Sequence, residues 1–404
     1  MRENKILVSL LIAAGVAVSP VSYAVTNGDE MMAVGAESMA LGGTGVAHYV
    51  GAESTFANPA MLGKSTGTEV TGGIVLFKPD VTNTGFTATT PATSSANAFY
   101  VPDFSYSSRI NDSLSYGVAM AGIGGMGVDY SGSGATYANA KTSLSILRIV
   151  PTIAYNKDNY GIGFSPVIQY GALGISYATA NVSRGNGTTK TTGIGFNLGG
   201  YYNISSAMTV AAAYDSAINM NYAPQLSSAG TGFQQTFGDN LEQPAQIKTG
   251  IAYDFANNII LTADYKLIKW SNAAGYKEFG WKDENVVAIG GKYSGSGYWL
   301  GLGANLSNNP IGVFANNLGT TNGQNGVGNF FNNLMFPAIA KNSYTFGGGY
   351  SLTKGLELDG AYVMSPKVTS TVDASAAQGN AAGTNYNTTT HSQQSYSVSL
   401  RYKF

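Results

Sequence analysis

The last ten residues, SYSVSLRYKF, alternate without a break. Tyr396, Val398, Leu400, Tyr402 and Phe404 fall on one face, and Ser395, Ser397, Ser399, Arg401 and Lys403 on the other. Period two is the signature of an extended strand with one apolar and one polar side. Similar rows are made by Ile247, Thr249, Ile251, Tyr253 and Phe255, by Leu261, Ala263, Tyr265 and Leu267, and by Tyr298, Leu300, Leu302, Ala304 and Leu306. Leu356, Leu358, Tyr362 and Met364 make another, as do Ile194, Phe196, Leu198 and Tyr202. A chain patterned this way folds as sheet.

The pattern predicts fourteen strands, roughly 68–79, 98–110, 113–130, 142–155, 159–178, 191–203, 207–221, 244–255, 258–271, 284–294, 297–306, 342–351, 355–372 and 393–404. Most reach the ~9–11 residues that a tilted strand needs to cross a bilayer. Short turns alternate with longer Asn/Thr/Gly/Ser-rich loops near 80–97, 131–141, 179–190, 222–243, 272–283, 307–341 and 373–392. Short turns on one rim and long loops on the other are the plan of an outer-membrane barrel. Closure matters, because an open sheet edge in lipid leaves backbone N–H and C=O groups unpaired. The expected fold is therefore all-β, a 14-stranded antiparallel transmembrane β-barrel with both termini in the periplasm.

Composition agrees. Only 11% of residues are charged, against about 25% in an ordinary soluble protein. With 53 glycines, 26 tyrosines and no cysteine, the chain must rely on a hydrogen-bonded framework and not on disulfides. A formal net charge of −1 argues against nucleic acid as a partner. Arg2 and Lys5, the apolar run from Ile6 to Val18 and Ser22-Tyr23-Ala24 read as a signal peptide over residues 1–24. Tyr155, Tyr202, Tyr253, Phe255, Tyr293, Tyr350, Tyr402 and Phe404 lie beside the short turns, as an interfacial girdle would. Pro151 and Pro166, in adjacent strands, predict one shared bulge in the ladder.

Residues 25–67 break the alternation. Trailing free, they would expose Met31, Met32, Val34, Met39, Leu41, Val46, Phe56, Met61 and Leu62. Burying such surface is favourable by about 25 cal/mol per Å², and a barrel of this size has a lumen to fill. The segment is expected to form a plug, with residues 68–404 forming the barrel.

Here the sequence resembles the FadL/TodX-type outer-membrane transporters. "GTGVAHYVGAESTFANPAMLGK", followed by a strand and "KPDVTNTG", is similar to the start of that family, whose hatch carries an Asn-Pro-Ala motif, matched by Asn58, Pro59 and Ala60. "VPDFSYSSRINDSLSYGVAM", "GWKDENVVAIGGKY", "SNNPI" and the Phe-terminated last strand extend the likeness. The resemblance implies passive uptake of hydrophobic compounds, long-chain fatty acids first among them. It also implies a lumenal pocket, hatch movement and lateral exit at a kinked third strand. Gly122, Gly124, Gly125 and Gly127 in "AGIGGMG" are the expected gate, since glycines weaken a ladder and leave no side chain across a gap. Lys277 aligns with a lysine near the ligand headgroup. Phe279, Trp281, Phe330, Phe331 and Phe336 would supply apolar pocket walls, with Phe233, Phe237 and Leu241 as a smaller patch. Loop 179–190 is short and polar, whereas fatty-acid transporters of the family can build an outer groove there.

The alternatives are an aromatic-hydrocarbon channel of the same family and a general diffusion porin. An enzyme is not expected. The two histidines, His48 in the plug and His391 in the last loop, make no triad or metal motif. No cofactor or metal is called for. The expected partners are hydrophobic small molecules and outer-membrane lipid, and the expected state is a monomer.

Overall fold

The computed structural model describes residues 26–85, 90–134, 137–178, 183–232, 237–315 and 326–404. The expected signal peptide and Phe233 lie outside them.

The first seven strands are β1 (Glu69–Asn83), β2 (Phe99–Arg109), β3 (Leu114–Asp129), β4 (Lys141–Lys157), β5 (Tyr160–Ala178), β6 (Ser183–Asn203) and β7 (Met208–Asp215). The second seven are β8 (Gln246–Phe255), β9 (Ile259–Ile268), β10 (Glu284–Gly295), β11 (Tyr298–Ser307), β12 (Asn342–Thr353), β13 (Leu356–Asp373) and β14 (Tyr386–Lys403). Each pairs antiparallel with the next. β14 closes on β1, from Lys403 opposite Glu69 to Thr389 opposite Asn83. Three two-residue pieces, Thr26–Asn27, Glu30–Met31 and Ala92–Thr93, add to the same sheet. Asp158, Asn258, Gly297 and Gly355 take the positive φ that the tight turns require.

The faces are sorted inside out relative to a soluble protein. Ile251, Leu261, Ile289, Leu302 and Phe346 are exposed on the outer wall, while Lys248, Asp264, Asn305, Thr345, Asp359 and Arg401 are buried inward. Such a wall is stable only against lipid. Of the expected girdle, Tyr155, Tyr202, Tyr253, Phe255, Tyr293, Tyr350 and Phe404 are exposed beside the short turns. Tyr402 is half-buried against Phe404, ring centroids 4.7 Å apart.

Several boundaries differ from the sequence reading. β6 begins at Ser183 and β14 at Tyr386, inside segments expected to be loops. Residues 183–190 are polar on both faces, so no alternation announces them. Conversely β7 stops at Asp215, and residues 216–221 keep only isolated bridges at Ile218 and Asn221. His391 therefore lies in a strand, not a loop. The expected bulge at Pro151 and Pro166 is absent. Ile149 pairs with Ile168 and Ile153 with Phe164, so register is unchanged across the three intervening residues. The two prolines face each other without N–H groups, and the ladder opens there with no residue inserted.

Among the described residues the α-helices are α1 (Ala36–Ala40), α2 (Gln225–Gly232) and α3 (Gly326–Met335). All of α3 is buried at the long-loop rim.

Candidate functional site

Residues 26–68 bond to inward-facing groups on strands all round the ring, among them Ser105, Arg148, Asp264, Asn305 and Thr345 and the Gly200 carbonyl. The Asn-Pro-Ala motif opens a 3-10 turn, Pro59–Lys64. Asn58 is its N-cap, accepting from the Ala60 N–H at 3.0 Å. Its amide donates to the Val46 carbonyl at 2.8 Å and to the Gly200 carbonyl at 3.3 Å. The turn sits on lumen-facing glycines. A Cβ at Gly199 would overlap the Asn58 side chain, and one at Gly163 would overlap the Pro59 backbone. Glycine is required there by close approach.

A second anchor is ionic, and the sequence reading missed it. Arg401, on the inner face of β14, reaches Glu37 at 3.3 Å, Glu53 at 3.0 Å and Asp359 at 3.6 Å. It also donates to the Val50 carbonyl at 2.7 Å. Lys292 meets the other Glu37 oxygen at 2.5 Å, and His48 lies 3.4 Å from it. Burial alone would raise the Glu37 carboxyl; Lys292, His48 and Arg401 outweigh it and hold the carboxyl well below its usual range. Glu53 goes the other way, pushed by burial up to about 7 against the pull of Arg401. Only the spatial meeting of Glu37, Glu53, Lys292 and Arg401 makes this cluster, so no local motif announces it.

The first residues of the segment reach β3. Below Ala121, β3 pairs with both neighbours; β2 leaves it there. One residue further β3 slips register against β4, between Gly122 and Gly124. From Ala121 to Met126 every residue is buried, so the strand bends into the lumen. The edge left by β2 is met by the N-terminal segment: Glu30 pairs with Gly124, and Gly125 N–H donates to the Asp29 carbonyl at 2.6 Å. A Cβ at Gly124 would stand 2.6 Å from that same carbonyl oxygen.

Above this contact lies an aromatic cluster. Trp270, Tyr276 and Trp281 pack with ring centroids 4.6–5.0 Å apart. Phe279 stacks on Phe331 at 5.2 Å, with Phe237 at 4.8 Å from Phe279 and Phe336 at 5.5 Å from Phe331. Phe330, Leu334 and Met335 of α3 join the same buried core. The structure thus brings together Phe279, Trp281, Phe330, Phe331 and Phe336 from the sequence reading, and adds Trp270 and Tyr276. Lys277 does not join them. Its side chain is half exposed and faces Glu278 at 3.7 Å.

Asp29 links cluster and kink. Its carboxylate accepts from the Tyr276 hydroxyl and from Gln243 at 3.4 Å, while its carbonyl holds Gly125. Gly28 lies beneath Trp270, whose ring stands 2.7 Å from where a Cβ on Gly28 would be. Burial pushes the Asp29 carboxyl up to about 7, opposed by the Tyr276 hydrogen bond. Below the cluster a cavity is lined by Met31, Val34 and Ile123 together with Arg148, Lys248 and Lys266. Arg148 sits 3.4 Å from Glu30, Lys248 2.6 Å from Asp215, and Lys266 donates at 3.5 Å to the Met32 carbonyl. His391 is buried, with its Nδ1 2.8 Å from the Pro337 carbonyl.

Comparison with known proteins agrees with this architecture. The barrel superposes on a FadL homologue of Pseudomonas aeruginosa with a TM-score of 0.69 at 14% identity, covering 94% of this chain and 100% of that one. The Ralstonia pickettii toluene transporter TbuX gives 0.67 at 18% identity, covering 92% and 99%. The P. putida toluene transporter TodX gives 0.68 at 16%, also covering 92% and 99%. No curated protein matches the chain. The model of the family described as outer membrane protein transport protein (OMPP1/FadL/TodX) matches residues 16–404, and the chain belongs to that family of hydrophobic-compound transporters.

Proposed function

We propose that the chain is a passive channel for small neutral aromatic compounds, with residues 25–67 as a movable hatch and the β3 kink as its lateral exit. The short-turn rim and both termini face the periplasm in this reading, and one chain suffices. The observation that carries it is Asp29, whose side chain is bound to the aromatic cluster and whose backbone is bound to the kink. A ring entering beside Trp270, Tyr276 and Phe331 disturbs Asp29 directly, and the strand edge it covers is the one β2 leaves open. Sideways release suits such a cargo, because it passes from an apolar pocket to lipid without crossing water. The proposed gate is Gly122, Gly124, Gly125 and Gly127, and the proposed contacts are Phe279, Trp281, Phe330, Phe331 and Phe336.

Long-chain fatty acids are the second reading. Arg148 and Lys266 favour it, since they border the cavity under the cluster where a carboxylate could end. Lys277, turned to solvent beside Glu278, gives it no support. Uptake of labelled toluene against labelled oleate, in cells with and without the gene, decides between the two. Toluene uptake that depends on the gene is expected; oleate uptake alone would reverse the assignment. Liposome swelling with small sugars tests the porin alternative, and brisk swelling would overturn a hydrophobic channel.

A further inference from the structure

A small cavity lies beside the β3 kink, and its walls have two characters. Phe77, Pro79, Val81, Met126, Pro337 and Ala338 are apolar, while His391, Gln393 and Thr26 supply one polar end. All three polar residues are buried. They form an ordered chain. His391 Nδ1 lies 2.8 Å from the Pro337 carbonyl, which only an N–H can approach favourably. That leaves His391 Nε2 as the acceptor for the Gln393 amide N–H at 3.2 Å. The same Gln393 nitrogen donates to Thr26 Oγ1 at 3.3 Å, and Gln393 Oε1 accepts from Thr26 N–H at 3.3 Å. Gln393 therefore clasps the start of the N-terminal segment with one donor and one acceptor.

We infer that Gln393, oriented by His391, is a polar subsite of the lateral exit. It takes a ligand group that offers both a donor and an acceptor, such as a hydroxyl or an un-ionised carboxyl. Such a group presents the same pair of functions that Thr26 presents, so it competes for the same amide. Its apolar body then rests against Phe77, Val81 and Met126. Occupation frees Thr26 and with it the strand that covers the kink. A bare hydrocarbon gains no hydrogen bond here, so it must displace the strand through the aromatic cluster and Asp29 alone and leaves more slowly. The inference rests on the lateral exit proposed above, and it adds a preference among cargoes.

Two measurements test it. The first compares uptake of p-cresol and toluene, matched rings that differ by one hydroxyl, in the parent and in Gln393→Met, with the heat-modifiable gel shift of a folded barrel as control. The cresol-to-toluene ratio should fall about fivefold in the variant, the worth of one hydrogen bond between neutral groups. His391→Phe, which removes the group orienting the amide, should lower the ratio in the same sense. An unchanged ratio overturns the inference. Loss of toluene uptake by the parent would instead count against the proposed function. The second measurement needs no transport. The chain lacks cysteine, so Ala33→Cys places a single thiol next to the released strand. p-Cresol should speed its maleimide labelling several-fold more than toluene does, and Gln393→Met should abolish the difference. Equal labelling with both compounds also overturns it.

Discussion

The two ends of the N-terminal segment are held in different ways. At Pro59–Lys64 the backbone itself is seated on Gly163 and Gly199, capped by Asn58, and backed by the buried ions around Arg401. At Thr26–Met31 the hold is the short pairing with Gly124 and Gly125, one buried ion pair between Glu30 and Arg148, and side-chain bonds from Tyr276, Gln243, Gln246, Asn305 and Gln393. A close-packed backbone seat has no intermediate position, whereas a side-chain hydrogen bond can be exchanged for one to a ligand. The difference teaches where motion can start. On the proposed function, the far end stays put and the near end, at the kink, is the part that leaves.

Four experiments break or sharpen this contrast. Arg401→Leu strands Glu37, Glu53 and Asp359 in the interior, and loss of one partner from such a buried cluster costs about 3–5 kcal/mol. The seated end should release, seen as protease cleavage within residues 26–67 while the barrel keeps its gel mobility. A segment still protected would show that the glycine seat alone suffices. Asn58→Ala removes the cap and two further bonds and should cost about 1–2 kcal/mol in thermal or denaturant unfolding. Gly124→Val addresses the opposite end: a methyl-bearing carbon cannot fit against the Asp29 carbonyl. Labelling at Ala33→Cys should rise several-fold in it with unfolding unchanged, and a lowered melting temperature would contradict the independence of the two ends.

The smallest effect concerns pH. The seated Asp29 carboxyl titrates near 7, whereas the freed carboxyl titrates in the ordinary acidic range. Between those values the seated form holds a proton that the released form has lost. Seating is therefore favoured as pH falls from 8 toward 5 and weakens as it rises through 7. Glu37 and Glu53 belong to the seated end around Arg401 and do not enter this equilibrium. Cysteine labelling at position 33, normalised at each pH to the same thiol in the denatured chain, should slow modestly from pH 8 to pH 5, and Asp29→Asn should flatten the change. Labelling that quickens on acidification would refute the assignment.

Legibility in the sequence followed physical rule. β8 to β11 were readable because lipid on one side enforces strict alternation over every residue. β6 before residue 191 and β14 before residue 393 were not, because polar residues on both faces carry no period. The helix α3 went unread: Phe330, Phe331 and Leu334 were recognised as an apolar patch, but ten residues inside a long loop gave too short a periodic run. The loop aromatics lie together because apolar rings in loops demand a place to be buried. Lys277 stands outside that cluster because Glu278 and solvent already satisfy its charge.

By itself the sequence determined that this chain closes into a lipid-facing barrel and that residues 25–67 need burial. Local periodicity and the transfer of apolar surface are enough for that. Tertiary structure alone decided which residues meet: that Arg401 gathers Glu37, Glu53 and Asp359 from three parts of the chain, that Asp29 lies between Tyr276 and Gly125, and that Gln393 holds Thr26. These contacts join positions far apart in sequence. Their geometry follows from the closure of the ring, which no stretch of residues encodes locally.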